Sequence, residues 1–467
     1  MRDSVAMPFG DGRRLHLLLP GFACITGAIY ANIRYQSCAG TVPFLTIALF
    51  RYVRVIGNVV GWLSYEPAVA DPNADIIRPE NVAVLMQTVG DMQDQFRQCV
   101  RCMVYQRPRV LVICTTETHL DRLRQAIREM NLNNSGVPIH CIAVGEANRR
   151  LQLVHSLETP LPSSTGQSNG VSVLSDSNVR AIVMSDDHVF PQKGFLEFAL
   201  APLNVKNSKA SVVNTGKRVR RRHSASWSDD FLNYLAAVYL ERHNTECAAT
   251  SRIDGGHFVV SGRCLIMRKS LWEEEDVRHN YLNEHWGGSA EVLLPDDDAW
   301  IGRHCHNIGQ EVAFQIDCNN LLETDLGDQG WAKLQGQMLR WGRTWFRTGF
   351  TALWHDRVWA RKPWTAYAVH LSGMLNFALP LDLLLLWNWW HAAAWIHRLG
   401  PYLLLFWFLS KVFEPLGHWR REPRDLIYLV PGILFGWYHS LVKVIALCTV
   451  YDVGWTGRKL EMEKKTE

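Results

Sequence analysis

"RAIVMSDDHVF" at residues 180–190 is an apolar run of strand length that ends in two carboxylates and an imidazole. Comparable apolar runs come before it, separated by stretches with helical character: "NVAVLMQT" (81–88), "RVLVICTT" (109–116) and "IHCIAVG" (139–145). This alternation predicts βαβ units and therefore an α/β fold with a mostly parallel sheet. Ligands of such sheets bind beyond the carboxyl ends of the strands, so the polar end of the fourth run is expected to lie in a binding site.

That polar end, Asp186, Asp187 and His188, has the chemistry of a metal site. Carboxylate oxygens and an imidazole nitrogen suit Mn²⁺, whereas Mg²⁺ prefers oxygen ligands alone. A divalent cation bound there would neutralise a diphosphate leaving group. The alternative is structural, because Asp186 could cap a helix that follows the strand.

A second acidic cluster, Asp296 to Asp298, lies within "LLPDDDAWIGRH" (293–304), directly before a helical run. Three adjacent carboxylates exceed what a helix cap needs, although capping is the alternative interpretation. Like charges packed together raise one another's pKa, and a raised pKa favours a general base that works near neutral pH.

The stretch "QMLRWGRTWFR" (337–347) combines an amide, guanidinium groups and indoles. Gln337 offers a hydrogen bond, Arg340 a planar fork for phosphate oxygens, and Trp341 a flat face for a sugar ring. The alternative is an amphipathic helix that lies on a membrane surface. The basic run "KRVRRRH" (217–223) is likewise either a solvated face or a contact for a polyanion.

Composition limits the class of protein. The chain has 467 residues and a formal net charge of only +4, too mild to indicate nucleic-acid binding, and it carries no nucleic-acid-binding motif. Its eleven cysteines show no spaced disulfide framework, which indicates a reduced, cytosol-facing domain.

Apolar stretches at both ends predict a membrane protein. Residues 15–33 could be an uncleaved anchor or a signal peptide, and we favour the anchor. Residues 41–63 are apolar except for Arg51, Arg54 and Asn58 on one helical face. Such a face is typical of an interfacial helix or of a span whose end reaches the interface. Three more candidate spans follow in the C-terminal part, with Trp and Tyr at their ends as in an interfacial belt.

These patterns predict five parts. They are an N-terminal membrane anchor and interfacial helix (1–65), a cytosolic catalytic domain (78–330), interfacial helices (331–362), C-terminal transmembrane helices (364–452) and a polar tail (453–467).

Nine segments in order make the chain resemble the inverting family 2 glycosyltransferases of the processive, membrane-embedded kind, above all the fungal branch related to hyaluronan and capsular polysaccharide synthases. The segments are "FRYVRVIGNVV", "NVAVLMQTVGD", "FRQCVRC", "DDHVF", "NTGKRVRR", "IDGGHFVVSGR", "PDDDAWIGRH", "QMLRW" and "RREPRDLIYLVP". The resemblance implies a GT-A-type, Rossmann-like catalytic domain flanked by transmembrane and interfacial helices.

The resemblance also implies roles for the matching residues. The nucleotide and its diphosphate would be bound by Thr88, Asp91, Glu117, Asp186, Gln337 and Arg340. The acceptor would be bound by Ser261, Gly262, Arg263, Asp296 and Trp341. The metal ligands would be Asp186, Asp187 and His188, and Asp297 would be the base that deprotonates the acceptor hydroxyl. Residues 345–347, which belong to the interfacial helices, match a loop that closes over the nucleotide.

Four positions depart from the family pattern. His188 stands where a third aspartate is usual, which favours Mn²⁺. Pro295 replaces a glycine before the acidic pair, Asp298 replaces a basic residue after it, and Gln87 replaces a proline at the end of the first strand. These changes leave catalysis expected and the choice of substrate open.

The expected function is therefore transfer of a sugar from a UDP-sugar to a growing polysaccharide, with Mn²⁺ or Mg²⁺ as cofactor. The protein is expected to be a multi-pass membrane protein of the plasma membrane, with its catalytic domain in the cytosol and the bilayer as a partner. Two alternatives stay open: a single transfer to a lipid acceptor, and a non-catalytic membrane subunit that resembles a synthase. The motifs encode neither the sugar nor the oligomeric state.

Overall fold

The computed structural model describes residues 40–90, 92–162, 170–224, 226–327 and 330–453. The predicted anchor at 15–33 and the tail from residue 454 onward lie outside the described residues, as does Asp91.

The α/β part of the chain is built on a mixed sheet that has seven strands within the described residues, in the order β3-β2-β1-β4-β8-β6-β9. Strands β3, β2, β1 and β4 are parallel, and β8 runs antiparallel to both β4 and β6. A smaller sheet has the order β5-β10-β7. The strands are β1 Val82–Gln87, β2 Val110–Thr116, β3 Ile139–Val144, β4 Ala181–Asp186, β5 Val189–Phe190, β6 Ala210–Thr215, β7 Lys217–Val219, β8 Cys264–Arg268, β9 Glu311–Gln315 and β10 Leu322–Thr324. The predicted βαβ alternation and mostly parallel sheet are confirmed.

Helices cover both faces of the large sheet and continue into the apolar C-terminal part. They are α1 Thr41–Leu63, α2 Asp94–Tyr105, α3 Glu117–Glu129, α4 Arg149–Glu158, α5 Phe195–Leu200, α6 Trp227–Asp254, α7 Glu275–Leu282, α8 Asp297–Asn307, α9 Trp331–Trp354, α10 Ser372–Leu375, α11 Ala378–Trp390, α12 Ala394–Arg398, α13 Gly400–Val412, α14 Leu416–Arg421 and α15 Leu429–Cys448. A π-helical segment, Thr365–Leu371, runs directly into α10.

The central strands are apolar along their whole length because both of their faces are buried. In β1, Val84 and Met86 pack into one helical layer with Phe96 of α2. The alternating residue Leu85 packs into the opposite layer with Leu153 of α4. This two-sided burial leaves the carboxyl ends of the strands as the open edge at which polar side chains can meet a ligand.

Two of the described helices are long and apolar enough to cross a membrane, Thr41–Leu63 and Pro423–Cys448. The pair Thr365–Leu375 and Ala378–Trp390 is bent by 89° and would make a third span if it counts as one. Gly400–Val412 is apolar but shorter. The structure is therefore consistent with membrane association through two or three spans.

The polar face of α1 points into the protein. Arg51 forms an ion pair with Asp382 of α11, and Arg54 forms one with Glu246 of α6. Asn58, on the same face, is also buried. Charged groups inside an apolar helical bundle are costly unless they are paired, so these ion pairs fix α1 against α6 and α11.

Candidate active site

A cavity of about 370 Å³ lies at the carboxyl ends of β1 and β4, next to helix α9. The predicted site residues that line it are Thr88, Asp186, Asp187, His188, Ser261, Gly262, Arg263, Gln337, Arg340 and Trp341. Four segments that are far apart in sequence thus converge on one cavity.

The first acidic cluster is organised by pairing between two strands. β1 lies beside β4 with Gln87 opposite Asp186, which brings Thr88 next to Asp187. The Thr88 hydroxyl donates to Asp187 Oδ2 at 2.6 Å, and His188 Nδ1 lies 2.9 Å from Asp187 Oδ1. Strand β5, and no helix, follows directly, so the alternative in which Asp186 caps a helix is not realised.

This arrangement fits a divalent cation. Asp187 orients the imidazole through Nδ1, and His188 Nε2 then lies 3.9 Å from Asp186 Oδ2. A carboxylate that fixes one imidazole nitrogen and leaves the other for the metal is the usual surrounding of a metal-binding histidine. Asp186 and His188 are therefore the residues that would hold the cation, and Asp187 would position His188.

The group that has metal-ligand spacing among the described residues is a different one: His223, Asp230 and Asp425. Its carboxylates are already bound by protein groups. Arg221 lies 2.7 Å from Asp425 and 3.0 Å from Asp230, and Tyr428 donates to Asp230 at 2.7 Å. This cluster is an ion-pair network that ties the loop after β7 to the segment that precedes α15.

The basic run at 217–223 is neutralised in the same way. Arg218 and Arg220 both pair with Glu323 of β10, at 2.6 Å and 3.1 Å, and Arg222 pairs with Asp325 at 2.8 Å. The run therefore holds β7 against β10, and its arginines serve the protein's own carboxylates. The sequence left open that this run is a solvated face or binds a polyanion. These three arginines are instead paired with carboxylates of the protein.

Arg149 is a site residue that sequence reasoning missed. Its Nη2 lies 2.8 Å from Asp186 Oδ1, and its Nε lies 3.4 Å from Asp297 Oδ2, so one guanidinium bridges the two acidic clusters. Burial lowers the pKa of Arg149, but Asp186 and Asp297 more than offset this and raise it overall. The signal in the sequence was the basic pair that opens the helix after the third strand.

The three aspartates of the second cluster have three different surroundings. Asp296 is buried and accepts hydrogen bonds from Arg347 Nε at 2.6 Å and Arg347 Nη2 at 3.0 Å. Asp297 is 4% exposed and faces Arg149. Within the described part of the chain, neither residue belongs to the cavity lining, so the acceptor-binding role of Asp296 and the base role of Asp297 have no direct support in this geometry.

Asp298 is the aspartate that lines the cavity. Its Oδ2 accepts a hydrogen bond from the Gly262 backbone N–H at 2.8 Å. Burial and the neighbouring Asp297 raise the pKa of Asp298 to about 6, although Arg149 acts in the opposite direction. A carboxylate with such a pKa, at a cavity wall, can accept a proton near neutral pH.

The turn that directs Asp298 inward depends on Asp296. Asp296 stands before α8 with φ of 67°, in the left-handed region, and its side chain makes no capping hydrogen bond. Asp296 thus occupies the N-cap position that the alternative interpretation predicted, but its side chain does not form the capping hydrogen bond. Instead, the ion pair with Arg347 holds Asp296 in this conformation.

Helix α9 presents one face of "QMLRW" to the cavity. Gln337, Arg340 and Trp341 all line it, as expected for residues three and four apart on a helix. The Trp341 ring stacks on Tyr239 of α6, with centroids 5.0 Å apart and planes at 15°. Burial lowers the pKa of Arg340, and Asp298 partly offsets that effect.

Residues 345–347 are helical in the middle of α9, where the family resemblance predicted a loop. Phe346 and Arg347 are 2% and 1% exposed, and Trp345 packs edge-on against Phe258 with ring centroids 4.7 Å apart. The buried ion pair with Asp296 holds Arg347 in this helical position, which accounts for the absence of a free loop here.

The segment Ser261–Arg263 forms another part of the cavity wall. A Cβ on Gly262 would lie 2.8 Å from Arg149 Nη1, so only glycine allows the guanidinium to approach this closely. The backbone of Gly262 contacts both acidic clusters. Its N–H donates to Asp298, and its carbonyl accepts from Arg149, which pairs with Asp186.

The predicted nucleoside-binding residues are the least assembled part of the site. Thr88 lines the cavity, whereas Glu117 is exposed at the start of α3 and is outside the lining formed by the described residues. Asp91 lies outside the described residues.

Comparison with protein families gives one match to the middle of the chain. Residues 79–344 match the model described as "Glycosyltransferase like family 2". This range includes both acidic clusters and the "QMLRW" segment.

Curated relatives match nearly the whole chain. A "Type 2 glycosyltransferase" of Gibberella zeae is 28% identical over 466 residues, which cover 97% of this chain and 80% of the relative. A "Type 2 glycosyltransferase" of Pyricularia oryzae is 28% identical over 423 residues, which cover 89% of this chain and 81% of the relative.

Among solved structures, the mannosyltransferase PcManGT from Pyrobaculum calidifontis, in complex with GDP-Man and Mn²⁺, matches with a TM-score of 0.50. The match covers 92% of this chain and 97% of that one, at 14% identity. At this low sequence identity the match shows a shared fold alone. That fold agrees with the GT-A-type sheet described above.

Proposed function

Because this chain belongs to the family 2 glycosyltransferases, we propose that it transfers a sugar from a UDP-sugar to a growing polysaccharide at a membrane, with inversion at the anomeric carbon. Membership makes it a nucleotide-sugar glycosyltransferase. We propose, beyond this membership, that the donor carries UDP, that the acceptor is a polymer and that transfer is repeated.

The observation that carries the proposal is the convergence of Asp186, Asp298 and Arg340 on one cavity. Transfer of a sugar from a diphosphate needs a group that accepts a proton and groups that stabilise the departing charge. Asp298 meets the first need, and Arg340 meets the second. Trp341, fixed by its stack on Tyr239, offers an apolar face for the ring of the acceptor sugar.

The reaction then proceeds in one in-line displacement. The acceptor hydroxyl attacks the anomeric carbon, its proton passes to Asp298, and the bond between that carbon and the diphosphate oxygen breaks. Arg340 donates hydrogen bonds to the leaving diphosphate. A divalent cation held by Asp186 and His188 would neutralise further charge on the diphosphate when bound. Asp297 keeps Arg149 in place, because its carboxylate lies beside the Arg149 Nε.

The apolar helices next to the cavity support the proposal that the acceptor is a growing polymer at a membrane. Helices α1 and α15 are apolar enough to span, and α9, which carries Arg340 and Trp341, packs along α15. We propose a multi-pass protein of the plasma membrane with a cytosolic catalytic domain and a relation to hyaluronan synthases. The growing chain would leave the cavity on the side of these helices.

The test is release of nucleoside diphosphate by purified protein in detergent, across a panel of UDP- and GDP-sugars, with Mn²⁺, Mg²⁺ or chelator, followed by sizing of the product. We expect release with a UDP-sugar, loss of release with chelator, and a high-mass product. If the product is a single glycolipid, the acceptor is a lipid and the proposed polysaccharide acceptor is wrong. Release with GDP-sugars alone would contradict the choice of UDP, and no release from folded protein would contradict transfer.

The raised pKa of Asp298 predicts a pH dependence. A base must be deprotonated to act, so kcat at saturating donor should be level above pH 7 and fall about tenfold per pH unit below about pH 6. Donor affinity measured at each pH is the control, because protonation of His188 would weaken cation and donor binding as well. A kcat that stays level down to pH 5, with the donor bound, would exclude a base with this pKa.

A further inference from the structure

Arg263 lines the cavity but, unlike Arg149, forms no ion pair with a carboxylate among the described residues. The Arg149 guanidinium lies 2.8 Å from Asp186. The Arg263 Nε is buried without a hydrogen-bond partner, and its side chain makes no ion pair with any residue that the structure describes. Removing a charged group from water without pairing it costs free energy, which a ligand of opposite charge can recover.

The guanidinium of Arg263 is held in a defined place. It lies over the Trp341 ring, with its central carbon 5.6 Å from the ring centroid. The Trp341 ring stacks in turn on Tyr239. A cation over an indole face is stabilised by the ring and keeps its hydrogen-bond donors free at the edge. The stack therefore presents a fork of N–H donors without using them.

The position of Arg263 relates it to the donor side of the cavity. Its backbone carbonyl accepts from the Asp186 N–H at 2.9 Å, so the residue adjoins the strand end that would hold the cation. Burial lowers the pKa of Arg263; Asp186 raises it and the nearby Arg340 lowers it further. Two guanidinium groups close together at a cavity wall are stabilised by an anion that both can bind.

We propose that Arg263 binds anionic oxygens of the nucleotide-sugar donor, which come either from its diphosphate or from an acid group on its sugar. The family resemblance placed Arg263 beside the acceptor, so this inference assigns it to the other substrate. It rests on the proposed function for the identity of the donor.

The test is calorimetric titration of the purified full-length protein in detergent with Mn²⁺ and three probes: inorganic pyrophosphate, UDP-glucose and UDP-glucuronate. We expect Arg263→Gln to weaken binding at least tenfold. Arg263→Lys should recover part of it, since lysine keeps the charge but not the fork. Arg218→Gln is the matched control, because Arg218 is paired with Glu323 at 2.6 Å, outside the cavity lining. Thermal unfolding of each variant verifies that it folds.

The probes separate the two sources of the anion. If Arg263→Gln loses affinity for all three probes to a similar extent, Arg263 binds the diphosphate. If it loses affinity for UDP-glucuronate alone, Arg263 binds an acid group on the sugar. Unchanged affinity of Arg263→Gln for every probe that the wild type binds, or no binding of any probe by the wild type, overturns the inference. Binding as expected without any sugar transfer would contradict the proposed function alone.

Discussion

Replacement of Asp298 by asparagine is expected to lower kcat for sugar transfer by about 10²- to 10⁴-fold, the usual contribution of a general base. Asparagine has the same shape, and its amide oxygen can still accept the hydrogen bond that Gly262 N–H gives to Asp298 at 2.8 Å. It cannot accept the proton of the acceptor hydroxyl. Affinity for the donor should therefore stay close to that of the wild type, and only turnover should fall. The measurement is kcat at saturating donor, together with donor affinity by titration.

Asp297→Asn is the matched control, one residue away on the same helix. Its carboxylate faces Arg149 at 3.4 Å and lies outside the described cavity lining, so its loss should disturb the placement of Arg149 and reduce kcat less than Asp298→Asn does. The reverse result, with full activity in Asp298→Asn and none in Asp297→Asn, would return the base role to Asp297, as the family resemblance assigned it.

The sheet could be predicted from the sequence because its strands are buried on both faces. Runs such as residues 181–186 carry no polar alternation, and only a sheet covered by helices on both sides accommodates them. The same reasoning predicted that Asp186 would lie at the ligand-binding edge. One side of the cavity followed directly, because parallel pairing makes the ends of β1 and β4 neighbours.

The choice among three adjacent aspartates could not be predicted. It depends on the left-handed backbone at Asp296, which turns the start of α8 so that Asp298 faces the cavity. Asp296 holds that conformation through Arg347, about fifty residues later in the chain, and sequence patterns do not encode such a contact. Arg149 was missed for the same reason, since its partners Asp186 and Asp297 come from two other segments.

Replacement of Arg347 by methionine is expected to destabilise the protein by about 3–5 kcal/mol, the cost of leaving one partner of a buried ion pair without the other. Arg347 is 1% exposed, and it donates to both oxygens of Asp296 and to the Val450 carbonyl at 2.9 Å. Methionine fills much of the volume but leaves the buried Asp296 carboxylate without its cation. The unfolding temperature, measured at one fixed scan rate, should fall by roughly 3–5 °C.

Arg343→Met provides the control, because Arg343 lies one helical turn earlier and pairs with Asp452, whose side chain is 45% exposed and stays hydrated when its partner is lost. Its effect on the unfolding temperature should be clearly smaller. The double variant Asp296→Asn with Arg347→Met removes both charges and should recover part of the stability lost in the single variant. If Arg347→Met unfolds at the wild-type temperature, Asp296 does not depend on Arg347. The account of how Asp298 comes to face the cavity would then fail, since that account requires Asp296 to be held in its left-handed conformation by this ion pair.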